Sequence, residues 1–335
     1  MLTIERGTLL KIARDTASQR MAARPSLLSV YLTGSVAAGE PLLGEATDID
    51  LVCIDAQPPP AAREVVRLTD QVVLDIQFRH QSEYANAKSL RIHPWRGPEM
   101  AEPFFLLDPK HFFELAQANV RGQFHRPDFV AARARTFAGW ARTDLGLGLL
   151  PGETSDQAVS VEAFGRGLLN AANAVMTLTG LPAAGRRLLL KLEAATEKLK
   201  RPDLYQGAVE LLAEGALERS HAETLLNDWS AAYLAGQSAA DELIHPARRT
   251  IYERGFRAQI EADRAVEMLW LMLMTWQALL RRLPGDSPHA DRYAACLQAM
   301  GLATPAAFAA RVVQARAYVT QADEAVEAWA AQNGA

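Results

Sequence analysis

The sequence predicts an α+β chain, with a mixed β-sheet flanked by helices in its first third and an all-helical region after it. Three observations carry this. Short apolar runs bordered by Gly or Pro recur up to Pro109. Beyond Pro127 such runs stop, and Ala- and Leu-rich segments with helical spacing take over. The breaks between those segments carry Gly or Pro, as helix ends do. The 335 residues therefore divide into an N-terminal sheet domain, 1–127, and a helical domain, 128–335.

The elements follow in order. Residues 3–22 have the spacing of an amphipathic helix. The run "LLSVYLT", 27–33, lies between Pro25 and Gly34 and reads as a buried strand. "SVAA", from Ser35, starts a short helix, and "DIDLVCID", 48–55, is a second strand. "PPPAAREVVRLTD" reads as a Pro-marked loop and a short helix, and "QVVLDIQFRH", 71–80, as a third strand. "SEYANAKSLRI" is helical, "RIHPWRGPEMAEP" is a Pro-rich loop, "PFFLLDP" is a fourth strand and "KHFFELAQANVRGQF" a closing helix. The later helices are expected over 128–148, 157–180, 184–200, 203–215, 219–235, 247–283, 288–300 and 304–332, with "LPGETSD" among the breaks. In "SVEAFGRGLL" Ser160 stands three residues before Ala163, so the acidic partner of a capping box is lacking.

Bulk composition narrows the function classes. A net charge of -4 argues against a nucleic-acid partner, whose binding depends on neutralising phosphates. Two cysteines, Cys53 and Cys296, with no CxxC pair, fit a reducing cytoplasm and read as small buried hydrophobes. The most apolar segment, 265–280, is 16 residues long, short of the ~20 a membrane helix needs, and no secretory leader is visible. No HExxH or paired Cys/His spacing points to zinc.

The chemistry is concentrated in "YLTGSVAAGEPLLGEATDIDLVCID". Side chains alternate along a strand, so Asp48 and Asp50 share a face while Ile49 and Leu51 point to the core. Two adjacent carboxylates repel unless a cation lies between them, and converging oxygens suit a hard dication such as magnesium. Asp75 sits mid-strand in "VVLDIQF"; if that strand lies beside the first pair, three acids meet. Such a set can hold two ions about 3.5–4 Å apart, as in two-metal phosphoryl transfer. Gly34 and Ser35 form a turn between strand and helix, where backbone N–H groups can meet an anion.

With "TGS", twelve residues and then "DIDL", and an acid on a later strand, residues 27–108 resemble the DNA polymerase β-like nucleotidyltransferase superfamily. Thr33 departs from the hydrophobic residue usual before the glycine. In layout, the helical remainder resembles the aminoglycoside nucleotidyltransferases. The resemblance implies Asp48, Asp50 and Asp75 as catalytic residues and ligands of two Mg2+ ions, with Asp75 also a candidate for taking the proton of the attacking hydroxyl. It implies Gly34 and Ser35 as holders of the β and γ phosphates of a nucleoside triphosphate, ATP first among the four. The expected reaction moves a nucleoside monophosphate onto a hydroxyl of a small, aminoglycoside-like acceptor bound between the two domains. The alternatives are a protein acceptor (AMPylation) and a non-catalytic nucleotide-binding regulatory module. Arg79, on the face of Asp75, and Lys88, one turn from Arg91, are candidate nucleotide or substrate contacts beside the plainer reading of solvated charges. Glu83 is a spare candidate base, and Trp95 and Arg96 a candidate substrate lip.

Overall fold

A computed structural model describes residues 4–59, 61–147 and 159–335. Pro60 and the expected break "LPGETSD" lie outside the described residues. The architecture is mixed α/β: a five-stranded sheet with flanking helices, then a largely helical C-terminal part. The chain forms two compact units, one of residues 1–125 with 247–255, the other of 126–246 with 256–335. Residues 247–255, read from sequence within the helical domain, thus belong with the sheet.

In the first unit the chain runs α1 (Arg6–Ala23), β1 (Leu27–Thr33), α2 (Gly34–Ala38), β2 (Thr47–Asp55), β3 (Arg63–Arg67) and β4 (Val72–His80). A short 3-10 turn, Gln81–Tyr84, leads to α3 (Ala87–Ile92), α4 (Arg96–Ala101), β5 (Phe104–Leu107) and α5 (Phe112–Arg121). The sheet order is β3-β4-β2-β1-β5. β2 and β4 are parallel, while the other neighbours pair antiparallel.

Alternation divides the sheet into two faces. Ile49, Leu51 and Cys53 of β2, Leu74 and Ile76 of β4, and Val30 and Leu32 of β1 pack in one cluster with Leu9, Ala13 and Ala17 of α1. The other face carries Asp48, Asp50 and Asp75, and farther along it Tyr31 stacks on Phe113 of α5 with ring centroids 4.2 Å apart. One face is thus closed by apolar burial, and the other carries the acids.

Two expectations are corrected in this unit. "REVVR" is strand β3, not a helix: its paired β-branched residues Val65 and Val66 face Asp75 and Leu74 across an antiparallel ladder. "RGPEMA" is helix α4 rather than loop, with Pro98 in its first turn, where a missing N–H costs nothing.

The second unit opens with α6 (Pro127–Asp144), α7 (Val161–Thr177), α8 (Leu188–Leu199), α9 (Pro202–Leu212) and α10 (Arg219–Gly236). Then come α11 (Arg249–Glu261), whose first turns count with the sheet unit, α12 (Leu269–Leu280), α13 (Pro288–Ala299) and α14 (Pro305–Asn333). Ser160 caps α7, which therefore begins at Val161 rather than 157, and accepts a hydrogen bond from the Ala163 N–H at 3.1 Å. The single helix expected over 247–283 is broken. Asp263 turns left-handed at φ 56° and the Arg264 N–H returns to the Gln259 carbonyl at 2.8 Å, a closing turn that no Gly or Pro announces. Trp229 and Trp276 are fully buried, and the Trp229 indole N–H donates to Thr275 Oγ1 at 2.9 Å.

Among the described residues, no helix is long and apolar enough to cross a membrane. Cys53 and Cys296 are both buried, and burial pushes each thiol up to about 12. We expect neither to react with a maleimide at pH 8 until denaturant unfolds its unit, when two thiols per chain become titratable. A thiol that labels rapidly in the native protein would contradict this packing.

Candidate active site

The acids meet because β2 and β4 lie side by side in parallel. Asp50 is the direct register partner of Asp75, and Asp48 that of Val73. Parallel partners face the same way, so all three carboxylates rise from one face of the sheet. Gly34 stands beside them, since Thr33 at the end of β1 pairs with Asp50. Gly34 has φ 71°, in the left-handed region that favours glycine, and a Cβ placed there would overlap Asp50 Oδ2 and lie 3.0 Å from its Cγ. The glycine therefore lets the carboxylate lie directly against the strand-to-helix turn. Ser35 Oγ is 3.4 Å from Thr47 Oγ1, which joins the turn to the start of β2.

Two arginines complete the cluster, and neither was singled out from the sequence. Arg63 of β3 grips Asp75 with both ends of its fork: Nε donates to Oδ1 at 2.6 Å and Nη2 to Oδ2 at 2.7 Å. Arg248, just ahead of α11, donates from Nη2 to Asp75 Oδ2, and its Nη1 lies 3.9 Å from Asp48 Oδ2. Asp75 is 1% exposed and Arg248 6%, so this pair is withdrawn from water. A strand reading of "REVVR" would have pointed to Arg63. Arg248 lies 173 residues from Asp75 in the chain, and no local pattern marks it.

The charges act on one another. Burial, then the neighbouring Asp48 and Asp75 carboxylates, hold the Asp50 carboxyl well above its ordinary value near 3.8, against the pull of Arg248 and Arg63. Burial opposes the charge on Arg248, but Tyr252 and the three carboxylates outweigh it and raise its pKa. For Asp50, the unfolded chain gives up its proton near pH 3.8 while the folded chain keeps it to higher pH. Stability therefore falls as pH rises through that window and stays reduced above it. Asp50→Asn should then raise the unfolding temperature at pH 8, by about 2–4 °C for each 1 kcal/mol relieved, and the gain should vanish toward pH 4. A variant less stable than wild type at pH 8 would contradict this electrostatic account.

Asp48 and Asp50 fit a hard dication: they are adjacent carboxylates on a rigid strand, and Asp50 is destabilised in its charged form, which a cation would relieve. Asp75 differs, because a guanidinium reaches it and Asp48 together. Among the described residues, no three His, Cys, Asp or Glu side chains converge as a set ready to hold a metal ion.

Most of the remaining candidates have other partners. Arg79 donates to Gln77 Oε1 at 2.8 Å and to both carboxylate oxygens of Glu99, at 2.5 and 3.0 Å. Lys88 is exposed on α3, and Arg91 donates to the Asn119 carbonyl. Glu83 accepts from the His80 N–H and pairs with Arg96, so it caps the turn after β4. His93 Nδ1 accepts from the N–H groups of Trp95 and Arg96, which fixes the start of α4. A groove of about 550 Å3 is lined by Tyr84, Phe112, Leu115 and Ala116 with His80 at its edge. His80 lies five residues beyond Asp75 on β4, on the order of 16 Å away, so the groove is not the acids' own pocket.

No protein-family model matches this chain, and no curated protein matches it significantly. The geometry of Asp48, Asp50, Asp75 and Gly34 therefore carries the functional argument.

Proposed function

We propose that this protein is a nucleotidyltransferase that moves a nucleoside monophosphate from a magnesium-bound nucleoside triphosphate, ATP first, onto a hydroxyl of a small acceptor. The observation that supports this reading best is the placement of Asp48 and Asp50 on one face of β2, with Asp50 against Gly34 and beside its register partner Asp75. In the proposed reaction the acceptor hydroxyl oxygen bonds to the α-phosphorus and gives up its proton to solvent water. The bond from that phosphorus to the bridging oxygen of the β-phosphate breaks, and pyrophosphate leaves with the electron pair. Magnesium, when bound by Asp48 and Asp50, supplies positive charge against the phosphates. The chain's own part is positioning: β2 and β4 fix the carboxylates, and Gly34 lets the Asp50 carboxylate lie against the turn that carries Ser35, whose N–H groups would meet the phosphates. Asp75 contributes by anchoring Arg63 and Arg248, since accepting the hydroxyl proton would mean breaking those ion pairs. This reassigns the proton-accepting role expected for it.

One observation favours a second reading. The capture of Asp75 by two arginines also suits a module that binds nucleotide without transferring it. The test is incubation with each α-labelled nucleoside triphosphate, magnesium, and a panel of aminoglycosides or a protein extract. Label on a small hydroxylated molecule, with one pyrophosphate released per label, is the expected result. Label on protein would move the acceptor to the alternative class. Nucleotide binding without pyrophosphate release would support the binding module instead.

A further inference from the structure

Arg248 occupies an unusual place. It is buried, it reaches Asp75 with one terminal nitrogen, and its other terminal nitrogen is 3.9 Å from Asp48. A guanidinium in contact with one of two neighbouring carboxylates and close to the other stands where an ion bridging them would stand. Its Nε is buried with no hydrogen-bond partner, so the side chain is held by its charged end. Asp75 meanwhile receives two hydrogen bonds from Arg63 and a third from Arg248.

The charges point the same way. With Asp50 ionised, as a ligand of a dication has to be, three carboxylates face two guanidinium groups and leave a single net negative charge at the cluster. One dication at Asp48 and Asp50 turns this into a single positive charge, suited to an incoming triphosphate. A second dication beside Asp75 would lie within a few ångströms of Arg248 and Arg63, where like charges separated from water repel strongly. It would also have to displace three hydrogen bonds from a carboxylate that is 1% exposed.

We propose that Arg248 takes the place of the second metal ion, so that the site binds one dication, held by Asp48 and Asp50, and Arg248 supplies the other positive charge. The inference rests on the nucleotidyl-transfer reading of the same acids. It replaces the two-ion arrangement expected from the sequence with one ion and one guanidinium, and it makes Arg248 a charge-supplying residue toward the nucleotide's phosphates.

The test counts Mn2+ ions on the full-length chain, following unbound Mn2+ by its paramagnetic resonance signal. The Asp48→Asn/Asp50→Asn double variant sets the background to be subtracted. Wild type is expected to bind one ion per chain above that background, and Arg248→Met two. Arg248→Lys, which keeps a cation, should stay at one. Two ions on wild type, or one on a folded Arg248→Met, would overturn the inference and leave the transferase reading standing. No ion above background on either would overturn the metal reading itself, and the inference with it. Should Arg248→Met fail to fold, Asp75→Asn decides: one ion bound as tightly as in wild type is expected, and a site lost with Asp75 would overturn the assignment.

Discussion

Asp75→Ala is expected to lower the stability of the sheet unit by about 3–5 kcal/mol, the range for removing one partner of a buried ion pair. The residue is 1% exposed and anchors two guanidinium groups. Without it Arg248, itself 6% exposed, keeps its charge with only the more distant Asp48 as an acidic partner among the ion pairs described. Arg63, whose side chain is 24% exposed, can turn toward water, so the larger part of the cost falls on Arg248. That loss is a large fraction of the 5–15 kcal/mol typical of a folded domain. Urea unfolding followed by far-UV circular dichroism measures it. Adding Arg248→Met to Asp75→Ala should restore part of the stability, because both members of the pair are then gone. A cost below about 1 kcal/mol for Asp75→Ala, or no recovery in the double variant, would mean that the cluster is far more hydrated than its burial implies.

Gly34→Ala should weaken ligand binding as well as folding. The substitution places a Cβ at φ 71°, which costs about 1–2 kcal/mol in a left-handed conformation. The same Cβ would overlap Asp50 Oδ2, so the carboxylate has to swing away from the turn. Asp50 would then no longer lie beside Asp48 in the arrangement proposed to hold the dication. A loss of 1–2 kcal/mol in binding corresponds to roughly 5- to 30-fold weaker affinity, and Mn2+ titration of the folded variant reads it. Unchanged affinity would show that the position of Asp50 against Gly34 is incidental to binding.

The acids were legible because strand alternation is a strong local signal. Asp48 and Asp50, two positions apart and alternating with Ile49 and Leu51, declare a shared face without any tertiary information. That Asp75 lies beside Asp50 was conditional on β2 and β4 being neighbours, a parallel pairing that local sequence does not encode. Arg63 was missed for a local reason. The Pro- and Ala-containing lead-in to "REVVR" suggested a loop and a helix, whereas Val65 and Val66 settle into a ladder with β4. Arg248 was missed because its role depends wholly on packing: it ends a 3-10 turn just ahead of α11, deep in the helical part of the sequence, yet belongs to the sheet unit. The end of α11 escaped for a third reason, since Asp263 takes up the left-handed turn that Gly usually marks. Arg79 shows the converse. Its shared face with Asp75 was read correctly, but Gln77 and Glu99 engage its guanidinium.

The central claim is that Asp48 and Asp50 form a magnesium-dependent nucleotide site, and a thermal-shift panel tests it most directly. ATP, GTP, CTP and UTP, each with and without magnesium, are compared on wild type and on Asp48→Asn/Asp50→Asn. A ligand that binds only the folded chain stabilises it by about 2.7 kcal/mol at a hundred times its Kd. The account predicts a magnesium-dependent rise in unfolding temperature for at least one nucleotide, absent from the double variant. A rise of equal size in the double variant, or none with any nucleotide in wild type, would contradict it.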